Sequence, residues 1–143
     1  MRMFSLILSA ILIATPAVSQ DWEYGGEGVE AYALAEIGDW GLSLTCSEPN
    51  QQPKLSFYIY ESLADKDEAY VPITVRVDGQ AAFQSMAFAR YGEGESHYDF
   101  EQSREIQEIL RDGHNADVYV DGSIRSVGLR GSAEAISHVW DQC

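Results

Sequence analysis

Basic residues are scarce in this chain: 9 Lys and Arg stand against 23 Asp and Glu in 143 residues, a formal charge of −14. A surface that negative repels phosphate backbones and anionic headgroups, which excludes nucleic acid and anionic membrane surfaces as expected partners. A cationic partner, a divalent cation, or plain solubility outside the cytoplasm are what the charge leaves. Cysteine is scarcer still. Cys46 and Cys143 are the only two, and they form no Cys-x-x-Cys pair. That spacing argues against a redox couple, and two distant thiols lack the further ligands zinc needs. Beyond the first 20 residues no apolar run approaches the length of a membrane span. Internal repeats, low-complexity linkers and breaks in composition are missing as well, so one domain with one core is expected.

What is present begins with a leader. Residues 1–19 read as a cleavable signal peptide, with Arg2 as the positive end and Phe4 to Ala14 as the apolar run. Ala17-Val18-Ser19 supplies the small residues before cleavage. The exported domain is then 20–143, and a periplasmic or secreted location is expected. In an oxidising compartment two cysteines predict a bridge, here from Cys46 to Cys143, the last residue of the chain. A bridge spanning so much chain contributes on the order of 4–5 kcal/mol in the chain-entropy account.

The rest of the sequence alternates with period two. Trp40 to Cys46, Leu55 to Tyr60, Tyr70 to Val77, Ala116 to Val120 and Arg125 to Leu129 all read as strands. Val29 to Glu36 suits either strand or helix. Asp78-Gly79 and Asp121-Gly122 are tight-turn signals between strand pairs. The partner of the first turn is Ala81 to Arg90, with Phe83 and either Met86 or Phe88 pointing inward. Pro72 suits an edge or a strand start. Asp21 to Gly28 reads as an irregular lead-in, and Gly92 to His97 as a loop. Two helices are expected: one capped by Ser103, with Ile106, Ile109 and Leu110 buried, and one capped by Ser132 and running over Ala133 to Trp140. The expected fold is mainly β, an antiparallel β-sandwich of short hairpins with one inserted helix and a C-terminal helix closed by the disulfide. An α+β sheet with both helices on one face is the alternative.

Residues that could carry chemistry are few. His97 and Asp99 lie two apart, which on a strand places them on one face, as an acid–base pair requires. No Ser-His-Asp or Cys-His order accompanies them, and His97, His114 and His138 read as surface histidines. Asp65, Asp67 and Glu68 form an acidic loop that lacks the Gly and distant Glu of a calcium loop. They are the weak metal candidates, with Glu93 and Glu95 able to add oxygens if the two loops meet, and no cofactor is expected. Tyr58 and Tyr60 share the face opposite Leu55, Phe57 and Ile59. With Tyr70 they form the candidate interaction surface, since tyrosine is enriched where proteins meet.

Toward the C-terminus the order is VRVDG (Val75 to Gly79), a helix end from Leu110 to Gly113, a hairpin, GLRGSAEAI (Gly128 to Ile136), and a terminal cysteine. This order resembles secreted proteins of the invasion-associated locus B type and periplasmic accessory proteins of type VI secretion systems. The resemblance implies a β-rich scaffold acting through contacts, and it implies no catalytic residues. The expected function is therefore non-catalytic: an exported bacterial envelope protein binding an unidentified protein partner, one that the charge suggests is cationic. An acidic inhibitor of a basic enzyme such as lysozyme, or a small-ligand or metal-binding module, is the alternative reading.

Overall fold

Period-two alternation produces strands wherever it was read, and also in two stretches where it was not. The computed structural model describes residues 21–46, 48, 51–80 and 82–143; the leader expected over residues 1–19 lies outside them. The strands are β1 (Glu23–Gly25), β2 (Tyr32–Ile37), β3 (Trp40–Thr45), β4 (Lys54–Ile59), β5 (Glu68–Val77), β6 (Phe83–Gly92), β7 (Glu95–Phe100), β8 (Asn115–Val120) and β9 (Ser123–Gly128). Helix α1 (Arg104–Asp112) lies between β7 and β8, and α2 (Ser132–Gln142) follows β9. The architecture is thus mainly antiparallel β with an inserted and a C-terminal helix. All nine strands belong to one sheet in the order β1-β2-β3-β4-β7-β6-β5-β8-β9.

That sheet curls until its two edges meet. The N–H groups of Asp21 and Trp22 both donate to the Arg130 carbonyl, at 3.0 and 3.2 Å. The Trp22 indole donates to the Gly128 carbonyl at 3.2 Å, and Asp21 pairs with the Arg130 guanidinium at 3.1 Å. The lead-in expected over Asp21 to Gly28 therefore contains a strand, and it closes the curl. Inside lie Leu42, Leu44, Leu55, Phe57, Ile59, Ile73, Val75, Tyr98 and Val118, all buried. Each such side chain stabilises the fold by roughly 1.5–3 kcal/mol.

Strand β6 departs from expectation in which face it buries. Ala87, Ala89 and Tyr91 point inward, while Met86 and Phe88 point outward. The cause is the neighbouring strand: Ala87 lies opposite Phe100, and Ala89 opposite Tyr98. Bulk on β7 requires small residues on β6, because the interior is close-packed. Gly92 to His97 is not a loop. Glu93-Gly94 turns the chain, with Gly94 at φ +69°, and β7 starts at Glu95 in register with Gly92. Asp121 and Gly122, at φ +48° and +74°, form the two-residue turn between Val120 and Ser123.

The helices close one end of the curl. Cys143, directly after α2, is bridged to Cys46, directly after β3, with 5.7 Å between α-carbons and 97 residues of separation. Gly131, at φ +83°, takes the N-cap place of α2 that was expected of Ser132. Ser132 instead donates from its hydroxyl to the Leu110 carbonyl at 2.6 Å, which ties the two helices together. Ser103 stands at the N-cap of α1, but its hydroxyl accepts from the buried Gln107 amide at 2.9 Å rather than from the helix backbone. Trp40 is core, whereas Trp140 is half-buried and donates to Gln107 at 2.7 Å. No described helix is long and apolar enough to cross a membrane.

Candidate functional site

The outward face of β4, β7, β6 and β5 gathers the chain's polar chemistry. Register explains how. Ser56 pairs with Asp99 and Tyr58 with His97 across β4 and β7. Asp99 then pairs with Phe88, and His97 with Arg90, across β7 and β6. Tyr70 faces Phe88 from β5. Since these positions share one parity, all of them leave the same side of the sheet.

Asp99 is the hub. Its carboxylate accepts from Lys54 at 2.8 Å, from Arg90 at 3.1 Å and from the Ser56 hydroxyl at 2.8 Å. Burial alone would raise its pKa; the Lys54 ammonium and the Ser56 hydroxyl outweigh that and hold the carboxyl below its usual range. His97 does share this face with Asp99, as their spacing predicts, with its Nδ1 3.4 Å from the carboxylate. That same Nδ1 accepts from the Arg90 guanidinium at 3.0 Å. Burial lowers the His97 pKa, against the pull of Asp99, so the ring is neutral at pH 7. The group is an ion-pair hub with a neutral histidine at its rim.

Aromatic residues flank the hub on both sides. Tyr58 lies 5.7 Å, centroid to centroid, from Tyr60 and donates to Glu36 at 2.6 Å. Its phenol occupies the space that any side chain at Gly41 would need, which explains that glycine in mid-strand. On the far side Tyr70 lies 5.2 Å from Phe88. The three tyrosines therefore do not form one cluster; they lie on one face with the hub between them. Tyr60, Tyr70 and Met86 are 55%, 63% and 43% exposed, so this one face presents three large apolar side chains to solvent. An open groove of about 1050 Å³ continues from Lys54 past Pro53, Phe83, Met86 and Pro72 to Arg104.

Lys54, Arg90, Phe88 and Met86 escaped the sequence reading. Either Met86 or Phe88 was expected inside, and the register that brings Lys54 and Arg90 to them across β4, β7 and β6 is not written in any one segment. The remaining predicted residues lie elsewhere. Asp65, Asp67 and Glu68 are exposed, and among the described residues no three His, Cys, Asp or Glu side chains come together as a metal site would require. His114 is exposed beside Asp78, and His138 faces the Gly25 and Gly26 carbonyls at 3.1 and 2.8 Å.

At the end of the curl away from the helices, the phenols of Tyr91 and Tyr98 both donate to the Asp121 carboxylate, the latter at 2.8 Å. The buried Ser96 hydroxyl donates to the Glu61 carbonyl at 2.7 Å and accepts from the Leu63 N–H at 3.0 Å. These bonds hold the β8–β9 turn and the segment after β4 across the mouth of the curl.

No curated protein and no solved structure matches the chain. A family model described as YfjT matches residues 20–136, which is most of the sequence, and the chain belongs to the YfjT family.

Proposed function

We propose that this chain is an exported, disulfide-closed domain of the bacterial envelope that works by binding another protein, not by catalysis. The observation that carries this reading is the outward face of β4, β7, β6 and β5, where Tyr60, Tyr70 and Met86 stand exposed around the Asp99 hub. Exposed aromatics and methionine beside arginine are the composition of contact surfaces. The Cys46–Cys143 bridge supports an oxidising compartment. The leader-like residues 1–19 fall outside the matched family region, which agrees with their removal on export. Against an acid–base role for His97, its Nδ1 is already held by Arg90, and Asp99 is committed to Lys54, Arg90 and Ser56. The scaffold resemblance to invasion- and secretion-associated proteins adds the same expectation of work through contacts.

Site-specific photo-crosslinking in the native envelope tests this. A crosslinking amino acid at Tyr60, Tyr70 or Met86 is expected to trap one discrete protein adduct. The same group at Val29, exposed at a distance from this face, is expected to trap none. Absence of adducts from all three face positions, or equal adducts from Val29, sinks the reading.

A further inference from the structure

One strand of the binding face has only half a neighbour. β5 pairs with β6 over Glu68–Val75, yet β8 covers β5 only over Thr74–Val77. The direction of each backbone group follows from bonds at the two ends of β5. Tyr91 donates to the Asp67 carbonyl, so odd-numbered residues of β5 face β6. Asp78 donates to the Asn115 carbonyl, so even-numbered residues face β8. The N–H and C=O of Glu68 and Tyr70, and the C=O of Pro72, therefore point to a side where no described residue receives them.

The β8–β9 hairpin does not extend to cover them. Its tip bends over the mouth, where Asp121 is held by Tyr91 and Tyr98. Pro72, with no N–H, ends the β5–β8 ladder at the place where the next bond would fall. This refines the sequence reading of Pro72: β5 is an interior strand whose first half is an edge.

We propose that the edge Glu68–Pro72 is where the partner docks, as an added β-strand supplied by an extended, lysine- or arginine-bearing segment. The proposal rests on the binding-face reading above and names the chemistry of its occupant. Backbone groups alternating donor and acceptor along one line match an extended chain. The charge sets which chain. Asp65, Asp67 and Glu68 lie exposed at the start of the edge, on a protein carrying −14. A second copy is repelled by that charge, and the missing N–H of Pro72 further discourages self-pairing, as protected edges do. A basic segment is attracted, and its alternate side chains would rest on Tyr70 and Phe88.

The test uses the mature domain and three nine-residue peptides: alternating lysine and valine, its copy N-methylated at alternate residues, and a glutamate–valine copy. The lysine peptide is expected to slow hydrogen exchange at the Tyr70 amide. It should also bind at least about tenfold more tightly than either control, a difference of about 1.4 kcal/mol. Tyr70→Pro removes the free N–H without breaking a ladder bond and should abolish that binding. Circular dichroism checks its fold, and the exchange readout on the unaltered protein stands without the variant. Equal binding of the N-methylated peptide, or an unprotected Tyr70 amide, overturns strand addition. If envelope adducts persist undiminished in Tyr70→Pro, strand addition fails while the binding face stands; if the protein without that substitution forms no adduct at all, the face itself fails.

Discussion

The two ends of the curled sheet are closed by opposite means. At the helix end a covalent bridge, the Ser132–Leu110 tie and the Trp140–Gln107–Pro53 chain pin α2 and α1 to β3 and β4. At the mouth there is no covalent tie: Asp121 collects two phenols, Ser96 holds the segment after β4, and Arg125 lies 3.8 Å from Glu61. A closure built from hydrogen bonds is responsive to pH and substitution in ways a disulfide is not. The proposed docking edge lies beside the responsive end, because the same bend that brings Asp121 to Tyr98 uncovers Tyr70.

The largest effect separating the ends should come from the bridge. Replacing both cysteines with alanine is expected to cost about 4–5 kcal/mol, given a loop of 97 residues. Urea unfolding measures the loss, while exchange at the Tyr91 amide reports whether the mouth is spared. If the mouth opens in parallel, the ends are one cooperative unit and the contrast is wrong. Next comes Asp121→Ala, which leaves the phenols of Tyr91 and Tyr98 without their shared acceptor. A loss of about 2–3 kcal/mol is expected. The variant should also change exchange at Tyr70, since the hairpin tip is then free to move toward or away from the β5 edge. A cost under half of that range would mean water replaces the carboxylate, and the mouth is looser than its bonds imply.

How much of this was legible in the sequence depends on whether the cause was local. Alternation in Val71, Ile73, Val75 and Val77 marked β5, and Asp78-Gly79 marked the turn that follows it, because both signals lie within a few residues. The bridge was legible too, since two cysteines admit a single pairing. Gly92 to His97 misled because its glycines and glutamates resemble a loop, while only the register with β6 makes it a strand. Met86 and Phe88 misled because size suggests an interior place. The interior beside Tyr98 and Phe100 has room only for alanine, and that constraint comes from another strand. The hub follows the same logic: His97 and Asp99 were visible as neighbours, whereas Lys54 and Arg90 arrive from strands far away in sequence.

The mouth should also respond to alkali. Burial, then the bond to Asp121, pushes the Tyr91 phenol up to about 12, and burial raises Tyr98 as well. A folded-state pKa above the unfolded value of 10.0 means the protonated phenol is favoured by folding. That stability is fully present below pH 10 and is lost as pH rises toward 12. Urea midpoints taken across this window should fall. In Tyr91→Phe the fall should be shallower, because one of the two coupled phenols no longer titrates. An identical slope in the variant would assign the alkaline loss to other groups and remove the mouth's claim to be the responsive end.

The smallest effect concerns the hub, and it runs in the opposite direction. Burial depresses the His97 pKa below 6.5, with Arg90 and Lys54 adding to the effect and Asp99 opposing it. The neutral ring is therefore the form that folding favours. Stability is whole above pH 6.5 and declines as the pH drops toward and through the depressed folded value. A second decline begins below pH 3.8, where the depressed Asp99 carboxyl is protonated more readily in the unfolded chain. His97→Gln should erase the first decline and leave the second, since glutamine can still accept from Arg90 through its carbonyl. Retention of the first decline would place its origin in another group. It would also leave His97 as a bystander on the face rather than a member of the hub that separates the two aromatic pairs.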